Sequence, residues 1–213
     1  ATIAAIRSME YGNCRNGDVN LMKRHLFRNK KYGIHLFLGV ICMVAFNCDS
    51  AHSNSSSGRP PAVAGKFYTA NATQLRKEIE QYLADAKRRT LSSRVIISPH
   101  AGYVFSGQVA AEAYQAIDRS VETVILIGPS HHHFFNGISI PEVDYYETPL
   151  GTVPLAGDII EQLRKEKLVS TEPSAHTLEH CLEVQLPFCQ VVLDTFRIVP
   201  IITGKASPRE IAG

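Results

Sequence analysis

The chain has 213 residues, with 22 Lys and Arg against 20 Asp and Glu, nine His, and 45% hydrophobic residues. That balance excludes a disordered or collagen-like chain. It also lacks the strong positive charge of a dedicated nucleic-acid binder, so no nucleic-acid partner is expected. The formal charge of +2 is unevenly placed: residues 1–47 hold seven basic and two acidic side chains, leaving 15 basic and 18 acidic for residues 48–213.

Residues 1–21 show no hydrophobic periodicity and read as an upstream extension outside the fold, with Met22 as the expected start. Residues 22–48 have the layout of an export signal. The basic stretch Met22-Lys-Arg-His-Leu-Phe-Arg-Asn-Lys-Lys31 precedes an apolar run over 34–46, which is too short for a comfortable membrane span. Cys48 closes the run and a Ser-rich linker over 49–59 follows it. This resembles a bacterial lipoprotein signal, with membrane attachment through the leader or a lipidated Cys48. The expected location is exported or membrane-anchored, and the alternative is cytoplasmic.

The domain proper is expected over 60–213. Asn71 begins an amphipathic helix to about residue 88, with Gln74 able to reach back and Leu75, Ile79 and Leu83 on its apolar face. A strand follows at 94–98, then a helix marked by Val109, Ala113 and Ile117, and an apolar strand at 123–127. Helices are expected near 158–167 and 179–193, the latter containing Pro187. A last strand covers 197–202, where Pro200 points to an edge or a bulge. Strands alternating with helices imply an α/β fold, a mostly parallel sheet with flanking helices. In such sheets ligands gather beyond the carboxyl ends of the strands.

Two of those ends carry histidines. The first strand runs out in Ser98-Pro-His-Ala-Gly-Tyr103 and the second in Gly128-Pro-Ser-His-His-His133. His100 and His131 at matching strand ends make a half-built metal site, because neutral imidazole is the commonest protein ligand for transition metals. The competing reading is two histidines that hydrogen-bond their own loops. His132 and His133 either support the ligands from behind or face solvent. A third cluster, His176-x3-His180-x2-Glu183, shares one face if a helix runs through it. In that case the cluster binds metal, shuttles protons or orients a ligand, with His180 as acid/base group or supporting residue and Glu183 orienting it, and the bland alternative is a solvated helix start. Cys181 and Cys189 would lie about 12 Å apart on one helix, beyond disulfide reach, and read as small buried hydrophobes. Gly-x-Ser-x-Gly, Walker and dinucleotide motifs are missing from the sequence.

The segments Pro61-Ala-Val-Ala-Gly-Lys-Phe-Tyr68, Ser98-Pro-His-Ala-Gly-Tyr103 and Ile127-Gly-Pro-Ser-His-His132 resemble the MEMO family, whose bacterial and archaeal members are called AmmeMemoRadiSam system protein B. Tyr146-Glu-Thr-Pro-Leu-Gly151, Glu179-His-Cys-Leu-Glu-Val-Gln-Leu-Pro-Phe188 and Ile198-Val-Pro-Ile-Ile202 continue the resemblance in order across residues 60–204. The resemblance implies a fold like the class III extradiol dioxygenases, which hold Fe(II) with two His and a carboxylate. It places two metal-binding histidines at His100 and His131, with iron as the expected metal and copper or zinc as alternatives. In the family a Cys far downstream takes the third place, which implies that this chain is the N-terminal part of the domain, truncated at the C-terminus with an incomplete metal site. Cys181 stands where the family usually has Ser and is not expected to be the missing ligand. Two functions remain open. One is a non-haem, metal-dependent oxidoreductase. The other is a non-catalytic module binding a peptide or small molecule, with Tyr103 and Tyr145 as lining candidates. A zinc hydrolase is a third reading.

Overall fold

The structure, a computed structural model, describes residues 2–7 as backbone only, and residues 56–87 and 92–205 in full. The leader, Cys48 and the first part of the Ser-rich linker lie outside the described residues. Among the described residues no helix is long and apolar enough to cross a membrane.

Nine strands are described. They are β1 (Thr2–Arg7), β2 (Gly58–Arg59), β3 (Val95–Ser98), β4 (Thr123–Pro129), β5 (Ile138–Ser139), β6 (Tyr145–Thr148), β7 (Gly151–Pro154), β8 (Val169–Ser170) and β9 (Arg197–Thr203). Five α-helices accompany them: α1 (Ala72–Asp85), α2 (Tyr103–Tyr114), α3 (Gly157–Leu163), α4 (Pro173–Thr177) and α5 (Leu186–Val192). A six-stranded sheet has the order β3-β1-β4-β9-β5-β8, and a small sheet has the order β2-β6-β7.

The fold is mixed α/β, but the large sheet is not mostly parallel. β1 pairs antiparallel with both β3 and β4, and β5 pairs antiparallel with β9; only β4–β9 and β5–β8 are parallel. Strand–helix alternation correctly placed β3, β4 and β9 in one direction, since β1 is antiparallel to both its neighbours. It could not reveal that residues 2–7, expected to lie outside the fold, form the strand between β3 and β4. Nor could it reveal that the loop after β4 doubles back to lay β5 against β9.

Pro200 sits inside the sheet, opposite Leu126 of β4. Its missing donor is tolerated because β5 pairs only with Ile202 and Thr203, and an isolated bridge from Leu155 meets Ile198. Pro200 falls in the gap between those two contacts.

One face of the sheet carries α1, α2 and α5. Leu75, Ile79, Tyr114, Leu126, Phe188 and Ile198 form its buried core. The Asn71 side chain caps α1 by accepting from the Gln74 N–H at 2.9 Å. Gln74 reaches back to accept from the Thr69 hydroxyl at 3.4 Å rather than from the Asn71 N–H, and its amide donates to Glu78. On α2 the buried residues are Tyr103, Ser106, Gly107, Ala110, Ala111 and Tyr114, whereas Val109 is 60% exposed. Of the three expected markers only Val109 fails, since Ala113 packs against the core and Ile117, just beyond the helix, is buried. α1 and α2 meet through small residues, and a Cβ at Gly107 would stand 2.6 Å from the Tyr82 ring. On the second face α3 packs Ile160 against Ile140, Val199 and Ile201. The β3 end of that face remains open, with Val95 and Ile97 55% and 65% exposed.

The expected helix over 179–193 is replaced by α4, a non-helical stretch at 178–182, a 3-10 turn at Glu183–Gln185 and then α5. Pro187 explains the restart, since it fits the first turn of a new helix but not a helix interior.

Candidate metal centre

Three histidines from separate segments converge at one end of the sheet. His100 follows β3 after Pro99, His131 follows β4 after Ser130, and His180 comes from the break between α4 and the 3-10 turn. Ring centroids lie 5.1 Å apart for His100–His131, 4.6 Å for His131–His180 and 5.7 Å for His100–His180. Their ligand nitrogens all fall within 4.8 Å of one another. Two donors on a common ion with bonds of about 2.1 Å stand at most about 4.2 Å apart. Shifts of about an ångström would therefore let all three imidazoles reach one ion.

Burial above all, with smaller contributions that include the neighbouring His131 and His180 rings, lowers the His100 pKa to about 4. Burial also lowers that of His180. Both imidazoles are thus neutral at physiological pH, the form that ligates metals.

Glu179 positions this cluster. Its Oε1 lies 2.8 Å from His131 Nδ1, and its Oε2 accepts the His131 backbone N–H at 2.7 Å. The backbone N–H groups of His180 and Cys181 also donate to Oε1, at 2.9 and 3.0 Å. Burial alone would raise the Glu179 pKa, but the His131 and Cys181 hydrogen bonds outweigh it and hold the carboxyl at about 2. A carboxylate on Nδ1 fixes the ring and leaves Nε2 for a ligand, the arrangement common behind metal-bound histidines.

Glu183 is elsewhere. Fully buried, it accepts from Arg59 Nη1 (2.9 Å), Ala62 N (2.7 Å), Val63 N (3.0 Å) and the Tyr68 hydroxyl (2.6 Å). Its oxygens are engaged in bracing the segment at 59–68, so Glu179, not Glu183, is the orienting carboxylate. Without a helix through 178–182, residues 176, 180 and 183 share no face. His176 is buried apart from the cluster, between Ser139 Oγ at 3.0 Å and Tyr146 Oη at 3.3 Å. Arg59, assigned to the linker by sequence, is 5% exposed and part of the fold.

Ser130 Oγ donates to the His133 carbonyl. Tyr103 is core, its hydroxyl donating to the Val184 carbonyl, and the Tyr145 ring covers Gly58. A cavity of about 450 Å3 opens beside His100 and His180, lined also by Lys66, Phe67, Val104 and Phe105. Val104 and Phe105 are 81% and 85% exposed, apolar groups at the mouth of a polar cluster.

Residues 59–212 match the family model described as Memo-like protein. The chain belongs to the Memo-like family. Among curated relatives it is 38% identical to the MEMO1 family protein of Sulfolobus acidocaldarius over 166 residues, covering 70% of this chain and 58% of that protein. It is 41% identical to the MEMO1 family protein of Ignicoccus hospitalis over 165 residues, again 70% and 58%. It is 38% identical to that of Aquifex aeolicus over 145 residues, 68% and 54%. The chain thus spans just over half the length of these Memo-like relatives. The matched stretch includes the three histidine segments, Glu179 and the Arg59–Glu183 brace.

Sequence reasoning missed Glu179 although it adjoins His180. The only signal was its place in the Glu-His-Cys-Leu-Glu run, where two acids compete for the role.

Proposed function

We propose that this Memo-like chain carries a non-haem metal pocket built on His100, His131 and His180, and that the protein is a metal-dependent oxidoreductase with a dioxygenase-like fold. The observation that carries this reading is the convergence of three imidazoles, two of them kept neutral by burial and the third held by a buried carboxylate. An all-imidazole set suits iron, copper or zinc, with iron proposed first. The metal would supply Lewis acidity or redox capacity to a bound oxygen function. In a full-length relative, donors from the rest of the domain would join the histidines. Glu179 keeps His131 oriented, and Phe67, Val104 and Phe105 exclude water from one side of a bound molecule. His180, neutral and half-buried, either ligates or takes a proton from that molecule.

Metal analysis of the purified chain after reconstitution tests the pocket. Iron, copper or zinc should copurify or load, and His100→Ala and His131→Ala should lose it. No metal above background, unchanged in both variants, refutes the pocket. A second reading, a binding module for a peptide or small molecule, draws support from the exposed Val104 and Phe105. Turnover of a catechol by metal-loaded full-length protein decides against that reading. The leader is proposed to direct export or membrane attachment through Cys48, with a cytoplasmic location as the alternative.

A further inference from the structure

A second set of donor atoms lies beneath the histidine cluster. One ligand atom each from His131, Glu179 and Cys181 falls within 4.8 Å of the others. The set shares His131 with the outer cluster but is deeper, for Glu179 is 3% exposed and Cys181 fully buried. The backbone fixes the thiol there. Cys181 Sγ lies 3.3 Å from the Pro129 carbonyl, where β4 leaves the sheet, and a Cβ on Gly128 would stand only 2.4 Å from that sulfur. Glycine at 128 is therefore what lets the sulfur approach the base of the His131 loop. The other described cysteine, Cys189, is also buried but contacts the Tyr114 hydroxyl, outside this set.

Imidazole, carboxylate and thiolate together form an N/O/S donor set. It is softer than three imidazoles, and it matches zinc or copper better than a hard oxygen-seeking ion. We infer that Cys181 is a metal ligand in this chain, completing with His131 and Glu179 an inner site for a zinc- or copper-class ion. Binding there displaces the thiol proton to solvent and leaves the oxidation state of the sulfur unchanged. The inference rests on the metal reading above only through His131, and it adds a sulfur donor to it.

Cobalt(II) titration of the full chain separates the two. Visible bands report cobalt bound at all, and a near-ultraviolet sulfur-to-cobalt band reports thiolate ligation. The sulfur band should appear in the wild type, vanish in Cys181→Ser and persist in Cys189→Ser and His100→Ala. Visible bands without the sulfur band overturn the inference and leave the histidine pocket standing. A sulfur band that survives in Cys181→Ser overturns it as well. No cobalt bands of either kind overturn both. X-ray absorption on the unmodified zinc-loaded chain guards against a misfolded variant. One sulfur neighbour at about 2.3 Å is expected, and a shell of nitrogen and oxygen alone refutes it.

Discussion

Replacing Glu183 by Gln asks whether this carboxylate braces the fold or serves the histidines. The two oxygens accept four hydrogen bonds, from Arg59, Ala62, Val63 and Tyr68, at 2.6–3.0 Å. An amide keeps one acceptor oxygen, so its NH2 must face two of those four donors. The substitution also strands the Arg59 guanidinium, 5% exposed, without its counter-charge. Breaking a buried pair in this way costs about 3–5 kcal/mol. That is a large share of the roughly 5–15 kcal/mol that holds a domain folded. At about 2–4 °C per kcal/mol for a chain of this size, the melting temperature should fall by about 6–20 °C. Thermal and urea unfolding followed by circular dichroism measure the loss. Metal affinity is then read at a temperature where the variant is folded, and it should match the wild type. A variant as stable as the wild type but weaker in metal binding would refute the brace and restore Glu183 to the histidine site.

Glu179→Gln should do the reverse. By removing the charge behind His131 Nδ1 it should weaken metal affinity by about 10–100-fold in a competition titration, the usual effect of losing such a partner. Stability should depend on pH through His176, whose pKa burial, with the Arg59 charge, lowers from 6.5 to about 4. The unfolded chain binds this proton more readily, so the contribution is full above about pH 6.5 and fades towards pH 4. It amounts to about 3 kcal/mol, since each pH unit between the folded and unfolded titration points is worth about 1.4 kcal/mol. Urea midpoints should therefore fall less on acidification in His176→Gln than in the wild type, and equal falls would contradict it. Gly128→Ala should destabilise by about 1–3 kcal/mol through overpacking against Cys181, measured as a lowered urea midpoint.

The histidines at the strand exits were readable in one dimension because their cause is local. An apolar run makes a strand, Pro99 or Pro129 marks its end, and the residues just beyond project past the sheet. The same locality made α1, β4 and β9 readable, and the family resemblance rested on those short segments. The buried face of α2 was only partly readable, because Gly107, Ala110 and Ala111 pack by smallness, which hydrophobic ranking does not score.

Choices between similar residues were settled only by distant contacts. Glu179 and Glu183 are both acids in one short run, and a helix through them would have set Glu183 beneath His180. The break at 178–182 turns Glu179 to His131, 48 residues away, while Arg59, 124 residues away, claims Glu183. The direction of the sheet was decided in the same way, by β1 entering from the chain start between two strands more than 85 residues downstream. Local pattern determines where a strand ends and which side chain it delivers. Which carboxylate, which thiol and which neighbouring strand it meets is decided by hydrogen bonds and packing between segments far apart in the chain.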